Sequence, residues 1–324
     1  MSTSLRPGRV LQIAATLAAV ALAVLGAVRS TAGIQGSGLR VFAAIGPITS
    51  IGSGTLTVGG VDYSTSGSQV EINGNAGSTA QLHTGDVVSI GGTQSLGNGR
   101  EKAAAAHAGA VSFSANVRGA VSGIDVQSGT IFVLGQSVHV NGATQLGIQG
   151  GGLQALQSGS LIEVSGFADA AGNVVATRVG TPGSDAAPRV VGTIRNLNPI
   201  QQTFDINALR VSFGSAEVGG TLAEGATVAV AGAQTAASGT LMASRVDLQS
   251  APQAAPGTEG RIEGLITDFA STAYFEVEGQ PVSVFPHASL NLHVPLGLEV
   301  EVKVTGVFDG NGVLVAGKVQ TKAH

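Results

Sequence analysis

Histidines are the residues of this chain best suited to bind a transition metal, but their spacing gives no metal-binding pattern. The closest pair is His287 and His293, in the segment Pro286-His-Ala-Ser-Leu-Asn-Leu-His293. A metal site needs several ligands that converge at bond distance, and no cysteine or obvious carboxylate completes one here. We therefore expect an exposed loop at this position. The histidines of the chain are His83, His107, His139, His287, His293 and His324.

Two glycine-containing segments have part of the composition of an ion-binding or phosphate-binding loop. Asp309-Gly-Asn-Gly312 could begin a calcium loop, but the alternating oxygen ligands and the distal glutamate of such a loop are missing. Gln149-Gly-Gly-Gly152 lacks both the Lys-Ser/Thr pair of a phosphate loop and the βαβ context around it. Both segments predict turns.

Serine and carboxylate groups give no catalytic pattern either. Ser53 lies between two glycines, but no Gly-x-Ser-x-Gly elbow is paired with a convincing histidine and acid, so a turn is expected. Glu299 and Glu301 are two residues apart, which predicts one solvated strand face with Lys303 offsetting the charge. A glycosidase pair must flank a cleft, and nothing in the sequence indicates one. We predict no catalytic, cofactor-binding or metal-binding residue, and a protein that is not an enzyme.

Composition excludes further classes of function. The absence of cysteine rules out thiol catalysis, thiolate metal sites and disulfides. The apolar fraction is 43% and periodic, which is not the composition of a disordered chain. Aromatic residues are scarce, with two tyrosines, no tryptophan and most of the ten phenylalanines at core-phase positions. This scarcity argues against an aromatic platform for sugars or single-stranded nucleic acid.

The elements that would position any site are repeated along the chain. A Gly-x-apolar pattern opens at Gly46 and returns at Gly119, Gly192 and Gly264, with a spacing of roughly 70 residues. That spacing accommodates one small domain per copy. Repetition of this kind favours modular binding or structure over a single catalytic centre.

Each copy contains five short apolar alternations, of which the third copy is the clearest. Period-two alternation places one set of side chains on a single face of a strand, so each alternation predicts a β-strand. In the third copy the alternations are Val191–Ile194, Phe204–Ile206, Leu209–Phe213, Gly225–Gly232 and Leu241–Val246. Five strands in so short a segment predict a closed, OB-like five-stranded barrel, because closure removes exposed strand edges.

Two details of the copies are less regular. A variable segment such as Gly150–Leu156 separates strands three and four, where an OB-like barrel often carries a short helix. In the first copy, the alanine-rich segment Glu101–Gly109 occupies the place of the last strand. A short helix and a degenerate strand both fit this composition, and the register favours the strand.

The predicted fold is therefore all-β, a tandem array of four small barrels after an N-terminal segment. Proline, alanine and serine-rich linkers at residues 180–188 and 250–257 separate the last three copies. We expect each barrel to bury its own modest core. The predicted units are 1–33 for a signal peptide or anchor, then barrel repeats 40–115, 116–180, 188–249 and 258–322.

The N-terminus predicts export. Arg6 and Arg9 precede an uncharged stretch at residues 10–28, and Arg29-Ser-Thr-Ala32 ends in small residues. This order is typical of a signal peptide cleaved after Ala32, but the stretch is nearly long enough to span a bilayer as a retained anchor. Removing residues 1–33 takes away three basic residues and no acid, so the net charge moves from −4 to −7. A chain of that charge is a poor candidate for binding nucleic acid.

The order of motifs, Gly-x-Ile, Phe-x-Val, Val-x-Val, Gly-x-x-Val-x-Val-x-Gly and Leu-x-Ala-x-x-Val, resembles an uncharacterised family of bacterial exported domains that occur in tandem. The resemblance is to a domain of unknown function, the 5666 family, and it covers residues 41–319. It implies an array of OB-like barrels in the cell envelope. It carries over no catalytic residue, because the family has none assigned.

Three functions remain open from the sequence. The first is a non-catalytic envelope protein, in the periplasm or at the cell surface, whose barrels bind a protein or ligand or act as a spacer. Its partner would be an envelope protein or a second copy of the chain, with the membrane reached only through an uncleaved N-terminus. The second is a surface structural or adhesin-like protein, and the third is a hydrolase with an unrecognised site.

Overall fold

A computed structural model describes residues 39–95, 106–148, 150, 152–183, 187–234, 239–249 and 254–322. The predicted signal peptide or anchor lies outside these residues. Within them, no helix has the length and apolar character of a membrane span. Strands and turns make up the described chain, apart from two single-turn 3-10 helices, which confirms the all-β prediction.

The strands are numbered in chain order. Those of repeat 1 are β1 (Leu39–Gly52), β2 (Thr55–Val58), β3 (Val61–Ser64), β4 (Gln69–Ile72), β5 (Asn75–Ala76), β6 (Val87–Ser95) and β7 (Ala106–Phe113). Those of repeat 2 are β8 (Val117–Asp125), β9 (Thr130–Val133), β10 (Gln136–His139), β11 (Gln145–Gly147), β12 (Leu161–Ala168) and β13 (Val174–Gly180). The 3-10 turns are Thr79–Gln81 in repeat 1 and Leu153–Ala155 in repeat 2.

The second half of the chain continues the same series. Repeat 3 contains β14 (Arg189–Thr193), β15 (Arg195–Asn198), β16 (Thr203–Ile206), β17 (Leu209–Ser212), β18 (Glu217–Gly219), β19 (Thr227–Gln234) and β20 (Leu241–Leu248). Repeat 4 contains β21 (Glu259–Ser271), β22 (Tyr274–Val277), β23 (Gln280–Asn291), β24 (Glu301–Phe308) and β25 (Leu314–Thr321).

Strand pairing closes each unit into a barrel, which is simplest to follow in repeat 4. There β21 pairs with β22, β22 with β23, β23 with β25, β25 with β24, and β24 with β21 again. In OB-like terms the order is first, second, third, fifth, fourth, first. Repeat 3 follows the same order, with its first strand divided into β14 and β15.

The variable segment contains a short helix in repeats 1 and 2, as the single 3-10 turns Thr79–Gln81 and Leu153–Ala155. A short strand that the sequence did not predict pairs in parallel with the last strand of the repeat, as β4 does with β7, β11 with β13 and β18 with β20. A short glycine-rich segment cannot sustain a longer helix alone, whereas a strand gains backbone hydrogen bonds from its neighbour.

The last strand of repeat 1 confirms the strand interpretation of the alanine-rich segment from Ala106 onward. Strand β7 is antiparallel to β6 over most of its length. Residues 101–105 lie outside the described part of the chain.

The repeated glycine of the fourth strand lies at a β-bulge. In repeat 4 the register between β24 and β25 shifts at Thr305/Gly306, and a Cβ atom on Gly306 would lie 2.1 Å from the carbonyl oxygen of Val315. Only glycine tolerates so close an approach of the neighbouring backbone. The equivalent glycines are Gly92, Gly166 and Gly232, each within 2.2 Å of a carbonyl oxygen by the same construction.

The repeats join through their first strands. Strand β1 of repeat 1 pairs in parallel with β21 of repeat 4, from Phe42 opposite Glu259 to Ile45 opposite Ile262. Strand β8 of repeat 2 pairs antiparallel with β14 of repeat 3 through two residue pairs. These pairings merge two barrels into one continuous sheet in each case.

Two of the three hydrophobic clusters of the described residues cross repeat boundaries, so the expectation that each barrel buries its own core was wrong except for the cluster of repeat 1. Side chains of repeats 2 and 3 belong to one hydrophobic cluster, in which Val133 and Val228 are both fully buried. Phe167 and Val175 of repeat 2 pack instead with the core of repeat 4. Contacts across the boundaries therefore bury apolar surface that a separate barrel would leave in water.

Candidate functional site

A cavity of about 330 Å³ opens between repeats 1 and 2. Strand ends and turns of repeat 1 supply one wall, and strands β8 and β12 of repeat 2 supply the other. Apolar side chains form part of the lining, but amide, guanidinium, imidazole and carboxyl groups also face it. The lining residues are Ile72, Asn73, Asn75, Ala76, Gln81, His83, Phe113, Arg118, Glu163, Thr181 and Gly183.

Glu163 is the central ionisable group of this cavity. It stands on β12 between Ile162 and Val164, and its side chain is nearly buried. Its Oε2 atom accepts hydrogen bonds from Asn73 Nδ2 at 3.2 Å and from Arg118 Nη1 at 3.4 Å. Burial raises the pKa of Glu163 above its usual range, and the charge of Arg118 opposes that rise.

Asn73 joins the two repeats at the cavity wall. Its backbone has a left-handed φ of 52°, which asparagine accepts more readily than most residues. Its Oδ1 atom accepts the amide hydrogen of Ala115 at 2.8 Å while its Nδ2 atom reaches Glu163. The carboxyl of repeat 2 is thus held by a side chain whose orientation repeat 1 fixes.

A second buried ion pair lies near the cavity. Asp86 of repeat 1 is almost fully buried, and its Oδ1 atom lies 3.6 Å from Arg178 Nη1 of repeat 2. Its Oδ2 atom accepts the backbone N–H of His83 at 2.7 Å. Alongside, Thr177 Oγ1 donates to the carbonyl oxygen of Gly85 at 2.6 Å. These contacts fasten repeat 1 to repeat 2.

A further cavity, of about 380 Å³, lies where repeats 1, 2 and 4 meet. Its lining is largely backbone, small and apolar groups, with one ion pair between Glu301 Oε1 and Lys322 Nζ at 2.8 Å. Both cavities hold one cation that is already paired with a carboxylate, Lys322 with Glu301 here and Arg118 with Glu163 in the cavity between repeats 1 and 2.

The Glu163 cavity is suited to hydrogen-bond a small polar ligand. Hydrolysis by a carboxylate pair needs two carboxyl groups on opposite sides of the scissile bond. Glu163 is the single carboxyl group among the residues that line this cavity. Among the described residues, no group of three or more His, Cys, Asp or Glu side chains is placed to hold a metal ion. The amide, guanidinium and carboxyl groups of the wall can donate hydrogen bonds to such a ligand and accept them from it.

The structure separates the residues that the sequence singled out. His287 and His293 are exposed, and Ser53 lies in the turn after β1. The expected loop is wrong for His287, which lies on β23, because residues 289–291 that follow it pair in parallel with β25. Asp309 Oδ1 accepts the backbone N–H groups of Asn311 and Val313 at 2.8 and 2.9 Å, which confirms a turn. Gln149 lies outside the described residues.

The Glu299 and Glu301 prediction needs correction. Glu299 is in the turn before β24, with a left-handed φ of 63°, so the two residues do not share a strand face. Glu301 is largely buried and pairs with Lys322, while Lys303 donates instead to the carbonyl oxygen of Gly59 in repeat 1. Period-two reasoning failed because the strand begins only at Glu301.

Sequence reasoning missed the charged groups that line the repeat junction. The available signal was a charged residue inside an apolar run, as with Glu163 in β12 and Arg178 in β13. In an isolated barrel such residues are expected to face solvent. Their burial depends on the neighbouring repeat, which no local pattern describes.

One known protein family matches three segments of this chain. The model described as Domain of unknown function (DUF5666) matches residues 45–103, 118–180 and 263–320, which is more than half of the chain. The chain belongs to this family. The match covers three of the predicted repeats, and residues 188–249 lie outside it. No curated protein matches the chain.

Proposed function

We propose that this protein is a non-catalytic component of the cell envelope whose packed barrels form a rigid platform for a partner protein. The observation that carries the proposal is the pairing of first strands between repeats, β1 with β21 and β8 with β14. Such pairing fixes the repeats relative to one another, whereas a flexible spacer requires repeats that move independently. A rigid multi-barrel body presents several loop surfaces in a constant arrangement, which favours recognition.

Placement in the envelope is supported by the sequence alone. The basic residues Arg6 and Arg9, the apolar stretch at 10–28 and the small residues that end at Ala32 are the features of an export signal. Amino-terminal sequencing of the protein from its own cells tests this part. A mature chain that begins at Gly33 would establish cleavage, and an intact N-terminus in the membrane fraction would establish a retained anchor.

Cross-linking of the tagged full-length protein in its own cells, followed by purification and mass spectrometry, tests the partner. We expect one envelope protein in stoichiometric yield, with cross-links confined to a few loops. Cross-links between copies of the chain alone would contradict the proposal and favour a structural assembly.

The Glu163 cavity favours a second candidate, in which the platform also holds a small polar ligand. Amide, guanidinium and carboxyl groups at the wall can hydrogen-bond hydroxyl or amide groups of such a ligand. Native mass spectrometry of protein purified from its own cells tests this idea. A bound mass that is lost in Glu163→Gln would support it, and the apoprotein mass alone would contradict it.

A further inference from the structure

The hairpin of the second and third strands carries the exposed aromatic side chains. Within the described ranges, these are Phe132 on β9, Tyr274 on β22 and Phe285 on β23, with 41%, 43% and 52% of their surface exposed. In OB-like barrels this face is a common place for ligands. Two of these three exposed aromatic residues, Tyr274 and Phe285, lie on the β22–β23 hairpin of repeat 4.

Repeat 3 shows a balanced row of charge across this face. Arg195 on β15 stands opposite Asp205 on β16, which stands opposite Arg210 on β17. Arg210 Nη2 donates to Asp205 Oδ2 at 3.3 Å. The acid is therefore flanked by a basic residue on each side.

The equivalent row of repeat 4 contains no basic residue. Counting from the hairpin turn, Asp268, Glu276 and Pro281 occupy the positions of Arg195, Asp205 and Arg210. Like charges directly opposite each other on neighbouring strands are destabilising. Neither carboxylate has an ion-pair partner in the described part of the chain. Burial and the neighbouring Asp268 raise the pKa of Glu276, with no basic group to oppose the rise.

The two aromatic residues of repeat 4 lie beside this acidic pair. Tyr274 is two residues from Glu276 on β22, so both side chains point outward from the same face. Tyr274 stands opposite Ser283, which places Phe285 at the diagonal position within reach of an aromatic side chain. The rings of Phe285 and His287 form a T-shaped pair, with 6.0 Å between their centroids.

We infer that the outward face formed by Asp268, Tyr274, Glu276 and Phe285 binds a basic segment of a partner protein. The arginine or lysine side chains of that segment take the places that Arg195 and Arg210 occupy in repeat 3. Carboxylates attract the cation and the exposed rings accept it by cation–π contact. The same acids repel phosphate, which disfavours nucleic acid here. This inference rests on the proposed function and specifies the chemical class of the partner.

Tyrosine fluorescence of the mature chain gives a direct test. The chain has no tryptophan and two tyrosines, and because Tyr63 is fully buried, the accessible signal is that of Tyr274. The probe is the peptide Gly-Arg-Gly-Arg-Gly, and Gly-Gln-Gly-Gln-Gly serves as its uncharged match. We expect saturable binding of the arginine peptide, at least tenfold tighter than that of the glutamine peptide and weakened by salt.

The affinity of variants for the arginine peptide shows which residues bind it. Asp268→Asn combined with Glu276→Gln should weaken binding of the arginine peptide at least tenfold, and Phe285→Ser should weaken it severalfold. Phe132→Ser removes a ring of similar exposure from repeat 2 and should leave binding unchanged. Melting curves by circular dichroism check that each variant is folded.

Several results would overturn the inference. These are equal affinity for both peptides, no saturation at millimolar peptide, unchanged binding by the Asp268/Glu276 double variant, or binding of a neutral oligosaccharide in place of the peptide. If the double variant still cross-links the cellular partner in full yield, this inference fails while the proposed platform function stands.

Discussion

Arg178 of repeat 2 and Asp86 of repeat 1 form an ion pair of 3.6 Å between two buried side chains. A buried charge is tolerated only while its partner stays in place, so this pair resists separation of the two barrels. It lies beside the Thr177–Gly85 hydrogen bond, which crosses the same boundary. The repeats are thus coupled by polar contacts as well as by shared sheets.

Arg178→Leu should destabilise the protein by about 3–5 kcal/mol, because it leaves Asp86 buried without its counter-charge. Asp86→Asn in the same chain should recover part of that loss. Urea denaturation measures both effects. Arg245→Gln is the control, since its pair with Asp247 is exposed and should contribute about 0–1 kcal/mol. Equal losses for Arg178→Leu and Arg245→Gln would show that the junction pair is not buried in solution.

Gly306→Ala should destabilise the protein by about 1–3 kcal/mol, since the new Cβ atom would overlap the carbonyl oxygen of Val315 and force the bulge to open. Gly310→Ala is matched in chemistry but has no atom within 4 Å of the added Cβ, so its melting temperature should stay close to that of the wild type. Thermal melting compares the two. A Gly306→Ala protein as stable as the Gly310→Ala protein would contradict the bulge geometry.

Val228→Asp should unfold more than its own barrel. Val228 is fully buried in the cluster that repeats 2 and 3 share, and a lone charge there is costly. Hydrogen exchange should therefore show lost protection in β12 and β13 of repeat 2 as well as in repeat 3. Val126→Asp, at a half-exposed position, should leave protection intact. Loss confined to repeat 3 would mean that the two cores are independent.

Glu278→Gln should change how stability depends on pH. Burial raises the pKa of Glu278 well above 4.5, and the nearby Glu301 and Asp169 add to the rise, while the backbone N–H of Leu265 opposes it. Because the folded chain holds this proton more tightly than the unfolded chain, the wild type loses stability as pH rises from 4.5 through the folded-state pKa.

The glutamine variant lacks this loss. Its stability relative to the wild type should therefore grow with pH by up to about 1.4 kcal/mol per pH unit within that window. Urea denaturation at a series of pH values measures the difference. A difference that stays constant with pH would show that Glu278 does not titrate abnormally.

Local pattern predicted the strands but not the way in which barrels meet. Period-two alternation located β16, β17 and β20 within a few residues, because each strand buries one face in its own barrel. The repeated glycine at Gly306 was visible as a motif, but its reason, a bulge against Val315, needs the paired strand. The linkers and the separate core expected for each barrel gave no sign that β1 pairs with β21 or β8 with β14.

The candidate sites depend on contacts between segments far apart in sequence. Glu163 and Asn73 are 90 residues apart, and no composition or spacing brings them together. The acidic pair of repeat 4 could have been found by aligning the hairpins of repeats 3 and 4, since Asp205 and Glu276 hold equivalent places. That alignment requires the strand register, which the sequence specifies only loosely in short hairpins.

Small-angle X-ray scattering of residues 33–324 tests most directly whether the repeats form one rigid platform. Strand pairing between repeats predicts a compact particle with a radius of gyration of about 19 Å, the value expected for a single packed body of this length. A radius above about 25 Å, with the profile of a flexible string of small domains, would contradict the rigid platform.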